Sequence, residues 1–275
     1  MQNQLHRNGQ VQERAGYFEV AGAHLYTVLH EVTNPVARVL LMGPFASERH
    51  NSYLPWVRWA RSLAAANIEV LRYDYRGIGE STGSFEQMTF EDWSQDVLLL
   101  SAWLQNRSPH VPLFLHGLGL GAVLAGRAFD EGIGEGLLLW SPPANANQAL
   151  RATLMRWVGL EQIFKFGDDR KSASDYIRSI EQGSPLDVDG YRWPVSLWQR
   201  SFDFALPTAL ASEEAAAQAY TRPVRIVKLT RDAAPLTKGG VVGYDDLKDF
   251  GWLYAPNLEW ILSAASKSGK GVACA

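Results

Sequence analysis

Two periodicities alternate along this chain. Short runs in which nearly every residue is apolar are followed by longer runs in which apolar residues recur every three or four positions. Tyr17–Val20 and His24–Leu29, joined through Ala21-Gly22-Ala23, read as an opening antiparallel hairpin. Arg38–Met42 then reads as a strand, Leu54–Ala66 as a helix carrying Leu54, Val57 and Leu63, and Ile68–Tyr73 as a strand. Over Phe90–Asn106 the spacing of Trp93, Val97, Leu100, Trp103 and Leu104 builds one apolar helical face. Strand Pro112–His116, helix Ala122–Phe129 and strand Leu137–Trp140 follow. Apolar strands alternating with amphipathic helices predict a mostly parallel sheet flanked by helices, with both faces covered.

The texture changes between residues 144 and 221. Helices are predicted over Gln148–Val158 and Ser172–Glu181, a Gly183-Ser184-Pro185 break intervenes, and Trp157, Trp193 and Trp198 fall in the same stretch. This segment reads as an inserted helical cap. The strand-helix pattern resumes with Val224–Leu229 and ends in a helix over Asn257–Ala265. The expected organisation is thus a core over 1–143, a cap over 144–221, the rest of the core over 222–268 and a flexible tail over 269–275.

Composition narrows the function classes. With 275 residues, 47% of them hydrophobic and 20% charged, the chain can bury a large core. A net charge of −3 without a basic run argues against nucleic acid. No window reaches the roughly 18 to 20 apolar residues of a membrane span, and the N-terminus lacks an apolar signal core. Cys274 is the only cysteine, so an internal disulfide is excluded. A cytoplasmic setting is expected. No cofactor or metal is expected either: the glycines of 117–121 lack both the dinucleotide fingerprint and the lysine of a phosphate loop, and no Cys, His, Asp or Glu spacing suits a metal.

The most informative stretch is Leu113-Phe-Leu-His-Gly-Leu-Gly-Leu-Gly-Ala122, an apolar strand turning into a helix. Its spacing is that of a G-x-S-x-G turn, in which outer glycines permit a strained bend and the central residue projects a hydroxyl. Here Gly117 and Gly121 keep the frame and Gly119 stands at the centre, with no nucleophile. Histidines occur at 6, 24, 30, 50, 110 and 116 and nowhere later. The chain order serine, acid, histidine of such sites therefore lacks its base as well.

Three landmarks together resemble the α/β-hydrolase superfamily: this elbow, Tyr73-Asp-Tyr-Arg-Gly-Ile-Gly-Glu-Ser81, and the strand end Leu229-Thr-Arg-Asp232. Gly43-Pro-Phe-Ala46, the elbow variant and Gly183-Ser-Pro-Leu-Asp-Val-Asp-Gly-Tyr191 resemble more narrowly the second hydrolase family associated with the exosortase A system. That resemblance implies a bacterial setting in exopolysaccharide production or protein sorting. It also implies that Asp232 is a remnant of the triad acid. The family's base would fall in Asp246–Trp252, where Phe250 or Trp252 offers an apolar ring instead.

The oxyanion donor that the fold places after its third strand falls in Met42-Gly43-Pro44-Phe45, and proline has no N–H to give. The first amide of the following helix, at Leu120, remains. Asp74 and Arg76 read as a charged pair at a strand end, and His116 as a packing residue. Without nucleophile and base, only roughly 10³ to 10⁴-fold acceleration over water is expected. Enzymes typically reach about 10⁶-fold or more.

The expectation is a protein that binds without cleaving. Its pocket would be lined by Pro44, Phe45, Gly119, Leu120, Trp140 and Trp252 and would take a small acyl or sugar-like ligand, or its surface would take a protein partner. One alternative is an esterase or thioesterase with an off-motif nucleophile such as Ser47 or Ser141. Another is a pure scaffold plugged by Phe45, Trp140 and Trp252.

Overall fold

A computed structural model describes residues 3–8, 11–20, 22–43, 45–46, 48–164, 171–228 and 251–268. Eight strands form one sheet: β1 (Asn3–Asn8), β2 (Val11–Val20), β3 (Ala23–Val32), β4 (Ala37–Met42), β5 (Ile68–Tyr73), β6 (Leu113–Leu118), β7 (Gly136–Trp140) and β10 (Val224–Val227). Their order is β1-β2-β3-β5-β4-β6-β7-β10. From β5 to β10 neighbouring strands run parallel, while β1, β2 and β3 pair antiparallel at one edge.

The parallel strands are apolar throughout because both faces are covered. Alternation along β4 shows it: Leu40 and Met42 belong to one buried cluster with Trp93 and Val123, whereas Val39 and Leu41 belong to another with Trp59 and Ile261. Helices α2 (Phe90–Arg107) and α3 (Leu120–Asp130) cover the first face. Helices α1 (Glu48–Ala65) and α8 (Gly251–Lys267) cover the second. At the start of α2, Thr89 and Asp92 close a reciprocal capping box that satisfies two amides of the helix end.

Between β7 and β10 the chain forms α4 (Ala146–Phe164), α5 (Ala173–Glu181), a small hairpin of β8 (Leu186–Val188) and β9 (Tyr191–Trp193), α6 (Val195–Arg200) and α7 (Glu213–Ala219). Most of the larger elements fall where the hydrophobic pattern puts them. β1, the β8–β9 hairpin, α6 and α7 are additions, being short or polar. α1 also begins six residues before the apolar period does, with Glu48 in its first turn, where a carboxylate favours the positive helix end. Among the described residues no helix is long and apolar enough to cross a membrane.

Asp74 and Arg76 do not pair with each other. Both lie beyond the end of β5, where the chain turns, and each finds its own partner on a different helix. Arg49 donates from Nη2 to both oxygens of Asp74, at 2.6 and 2.7 Å. Arg76 turns instead to the fully buried Asp96 on α2, donating from Nη2 and, at 3.1 Å, from Nε.

Candidate functional site

Strand order reverses at β4: the chain passes from β4 to β5 on one side, and β6 adds on the other. Crevices of α/β sheets lie at such a switch point, beyond the carboxyl ends of the strands. Here Met42 at the end of β4 is in register with Gly117 near the end of β6. The chain leaving β4 carries Phe45 and then Glu48 at the start of α1, and the turn leaving β6 carries Gly119.

The elbow survives as backbone geometry. Gly119 has φ 57° and ψ −124° and forms the N-cap of α3, in a region that side-chain-bearing residues occupy only under strain. Its amide donates to Trp140 O at 3.1 Å, and its carbonyl accepts from Ala122 N at 3.0 Å. The outer glycines are steric necessities. A Cβ on Gly117 would collide with the backbone of Gly121 and Ala122, and one on Gly121 with the carbonyls of Met42 and Gly43.

A carboxylate stands beside the bare turn. Among the described residues, and its two chain neighbours apart, the only heavy atom within 4 Å of where a Gly119 Cβ would lie is Glu48 Oε2, at 3.2 Å. The other oxygen, Oε1, accepts from the Thr153 hydroxyl of α4 at 3.0 Å, and Glu48 N donates to Phe45 O at 3.0 Å. Enclosure of the carboxyl group pushes its pKa above the usual carboxylate value, against the lowering effects of the Thr153 bond and the nearby Arg156 charge. Arg156, one turn beyond Thr153 on α4, also approaches Asp189 at 3.8 Å. The Tyr75 hydroxyl is close to the same turn and donates to Gly43 O at 2.7 Å.

The sequence-predicted pocket residues scatter around this point. Leu120 follows Gly119 directly and is fully buried at the start of α3, where first-turn amides have no acceptor within the helix. Phe45 is buried against Tyr75, Phe85 and Trp93 on the α2–α3 face. Trp140 is buried on the opposite face with His116, Trp56 and Trp59. Trp252 is 37% exposed in the first turn of α8, so it fills no buried space. Pro44, Ser47, Asp232 and Phe250 lie outside the described residues. Ser141 is partly buried just after β7, with φ 46°, and its amide donates to Val227 O at 2.8 Å.

His116 is no base. Its ring is fully buried among three tryptophans, Nδ1 lies 2.9 Å from Leu138 O, and burial lowers its pKa to about 3. Among the described residues no group of three His, Cys, Asp or Glu side chains could hold a metal.

A cleft of about 600 Å³ opens between the sheet and β9, lined by Tyr26, Arg49, Tyr53, Glu80 and Tyr191, none of them a residue of the elbow or of the pocket expected from the sequence. Sequence reasoning missed both Glu48 and this cleft. Their residues come from separate elements, and no local motif links them.

Comparison with known proteins agrees with this architecture. The profile of the family described as serine aminopeptidase, S33, matches residues 49–165, from α1 through the elbow into α4. No curated protein sequence matches the chain. Est1E from Butyrivibrio proteoclasticus, solved with ferulic acid bound, is 17% identical with a TM-score of 0.57, over 92% of this chain and 100% of that one. The alpha/beta hydrolase GrgF from Penicillium sp. sh18 is 16% identical with a TM-score of 0.56, over 92% and 99%. An α/β serine hydrolase without lid from Xanthomonas campestris is 24% identical with a TM-score of 0.42, and the match spans 48% of this chain and 62% of that one. The protein has the α/β-hydrolase fold.

Proposed function

We propose that this protein is a binding or accessory protein built on the α/β-hydrolase fold, which does not operate through a serine acyl-enzyme. The observation that carries the reading is the elbow itself. It keeps the dihedral angles that would present a nucleophile, yet Gly119 offers none, and what stands beside it is the carboxylate of Glu48. The loss of the base fits: the histidine nearest in sequence is sealed in the core in its neutral form.

In this reading the segment over 144–221 caps the sheet edge and encloses a small acyl or sugar-like ligand. The cleft of Tyr26, Tyr53 and Tyr191 supports it, because tyrosine combines an apolar ring with a polar tip at low conformational cost. The resemblance of the Gly43–Ala46, elbow and Gly183–Tyr191 segments supports a role in a bacterial exopolysaccharide or protein-sorting pathway.

The test is a thermal shift with hexanoate and with methyl glucoside as separate probes. A ligand that binds only the folded state raises the melting temperature with concentration. At least one probe is expected to do so; two flat responses over the millimolar range would contradict the binding reading.

A further inference from the structure

The position of Glu48 goes beyond the binding reading while remaining compatible with it, since the step concerned needs no acyl-enzyme. We propose that Glu48 is a general base that delivers water to an acyl carbon lying over Gly119, so that the protein hydrolyses activated esters slowly without a serine. Three observations converge on that group. Its two chain neighbours apart, Oε2 is the only described heavy atom within 4 Å of the point where a Gly119 side chain would begin, so the position of the absent hydroxymethyl group faces a carboxylate. The hydroxyl of Thr153 holds Oε1 and the backbone of Phe45 also hydrogen-bonds the carboxyl group, while Oε2 is turned to the elbow. The N-terminus of α3 begins at the next residue, Leu120, with amides that have no acceptor within the helix.

The step balances with water as the only co-reactant. Oε2 takes one proton from water as the water oxygen bonds to the acyl carbon, and the carbonyl oxygen becomes an oxyanion facing the first amides of α3. Collapse breaks the bond to the leaving oxygen, which takes the proton back from Glu48. The products are a carboxylic acid and an alcohol, and Glu48 returns to the carboxylate. Enclosure raises its pKa, which makes it a stronger base than an exposed glutamate. The groups facing it are Thr153 and Arg156 from α4, the backbone of Phe45 and Tyr75 from the loop after β5, while neighbouring Arg49 is engaged by Asp74. A positioned base contributes roughly 10² to 10⁴-fold, and a retained oxyanion donor about 10² to 10³-fold.

The experiment measures p-nitrophenyl butyrate hydrolysis from pH 4 to 9 by wild type, Glu48→Gln and Thr153→Val, with product separated by chromatography and folding checked by circular dichroism. Wild type is expected to exceed buffer, to be unaffected by a fluorophosphonate, and to gain rate with pH through an apparent pKa above that of an ordinary carboxylate. Glu48→Gln, nearly isosteric, is expected to lose about 10²-fold or more. Thr153→Val removes a bond that holds the carboxyl pKa down, so the midpoint of its profile is expected to move to higher pH, a shift that a merely structural role would not produce.

A wild-type rate equal to buffer, or a folded Glu48→Gln as fast as wild type, would overturn the proposal. If Glu48→Gln does not fold, an unmoved midpoint in Thr153→Val overturns it instead. The binding reading stands or falls separately, on the thermal shifts and on labelling by the fluorophosphonate.

Discussion

Glu48 Oε2 lies 3.2 Å from the point at which a side chain on Gly119 would begin, across the switch point where β4 and β6 end side by side. A carboxylate therefore occupies the surroundings in which this fold can present a hydroxyl. A Gly119→Ser variant tests what that neighbour does. The new Cβ sits in a tight but not impossible contact, and the backbone is held at φ 57°, so a loss of roughly 1 to 3 kcal/mol is expected in urea denaturation. Fast ester hydrolysis is not expected, because no imidazole described in the structure reaches the turn. Turnover rising towards about 10⁶-fold over water would show that the new hydroxyl is activated after all, and loss of that turnover in Gly119→Ser with Glu48→Gln would assign the base to Glu48.

The outer glycines of the same turn should be far less forgiving. A methyl group on Gly117 or Gly121 meets backbone atoms, which cannot rotate away, whereas one on Gly132 meets nothing within 4 Å. Gly117→Ala and Gly121→Ala are expected to destabilise by about 3 kcal/mol or more, at the upper end of the range for overpacking. Gly132→Ala, strained only by its φ of 97°, should cost about 1 kcal/mol. Urea midpoints of the three variants check the ranking; equal midpoints would show that the elbow is looser than its contacts imply.

Arg76 and Asp96 form the buried ion pair that ties the loop after β5 to α2, and Trp93 Nε1 adds a bond to Arg76 O at 3.0 Å. Removing one partner leaves a charge stranded in the core. Arg76→Ala is expected to cost about 3 to 5 kcal/mol, well above a surface pair such as Arg200–Glu91, which is worth about 0 to 1 kcal/mol. Chemical denaturation of Arg76→Ala and Arg200→Ala gives the comparison directly.

Two histidines predict the acid limb of the stability curve. Burial lowers the pKa of His30 to about 4, with the Arg72 charge adding to the effect, and burial lowers that of His116 to about 3. Below an unfolded value near 6.5 the unfolded chain takes up protons that the folded chain refuses. Their contribution is thus fully present above about pH 6.5 and is lost as pH falls towards 4 and then 3. His30→Gln should reduce the pH slope of stability between about 6 and 4 by close to one proton. An unchanged slope would mean that His30 is protonated in the native state.

The sequence made the elbow legible because its requirements are local: glycine at 117, 119 and 121 and an apolar strand before them. The central strands were legible for the same reason, since burial on both faces leaves a continuous apolar run. Glu48 was not legible, since it lies 71 positions before Gly119 and is brought to it only by the pairing of β4 with β6. Nor was the partner choice of Arg76, since Asp74 is closer in sequence while Asp96 is closer in the fold. The α1 start was hidden by the polar run before Leu54, and β8 and β9 are three residues each, too short to show a period.

The account depends most on the absence of a serine that can be acylated. Incubation of the protein with a fluorophosphonate, followed by intact mass measurement, tests this directly. The predicted result is an unchanged mass at long exposure and excess reagent. A stoichiometric phosphonyl adduct mapped to one serine, lost when that serine is replaced by alanine together with ester turnover, would contradict it.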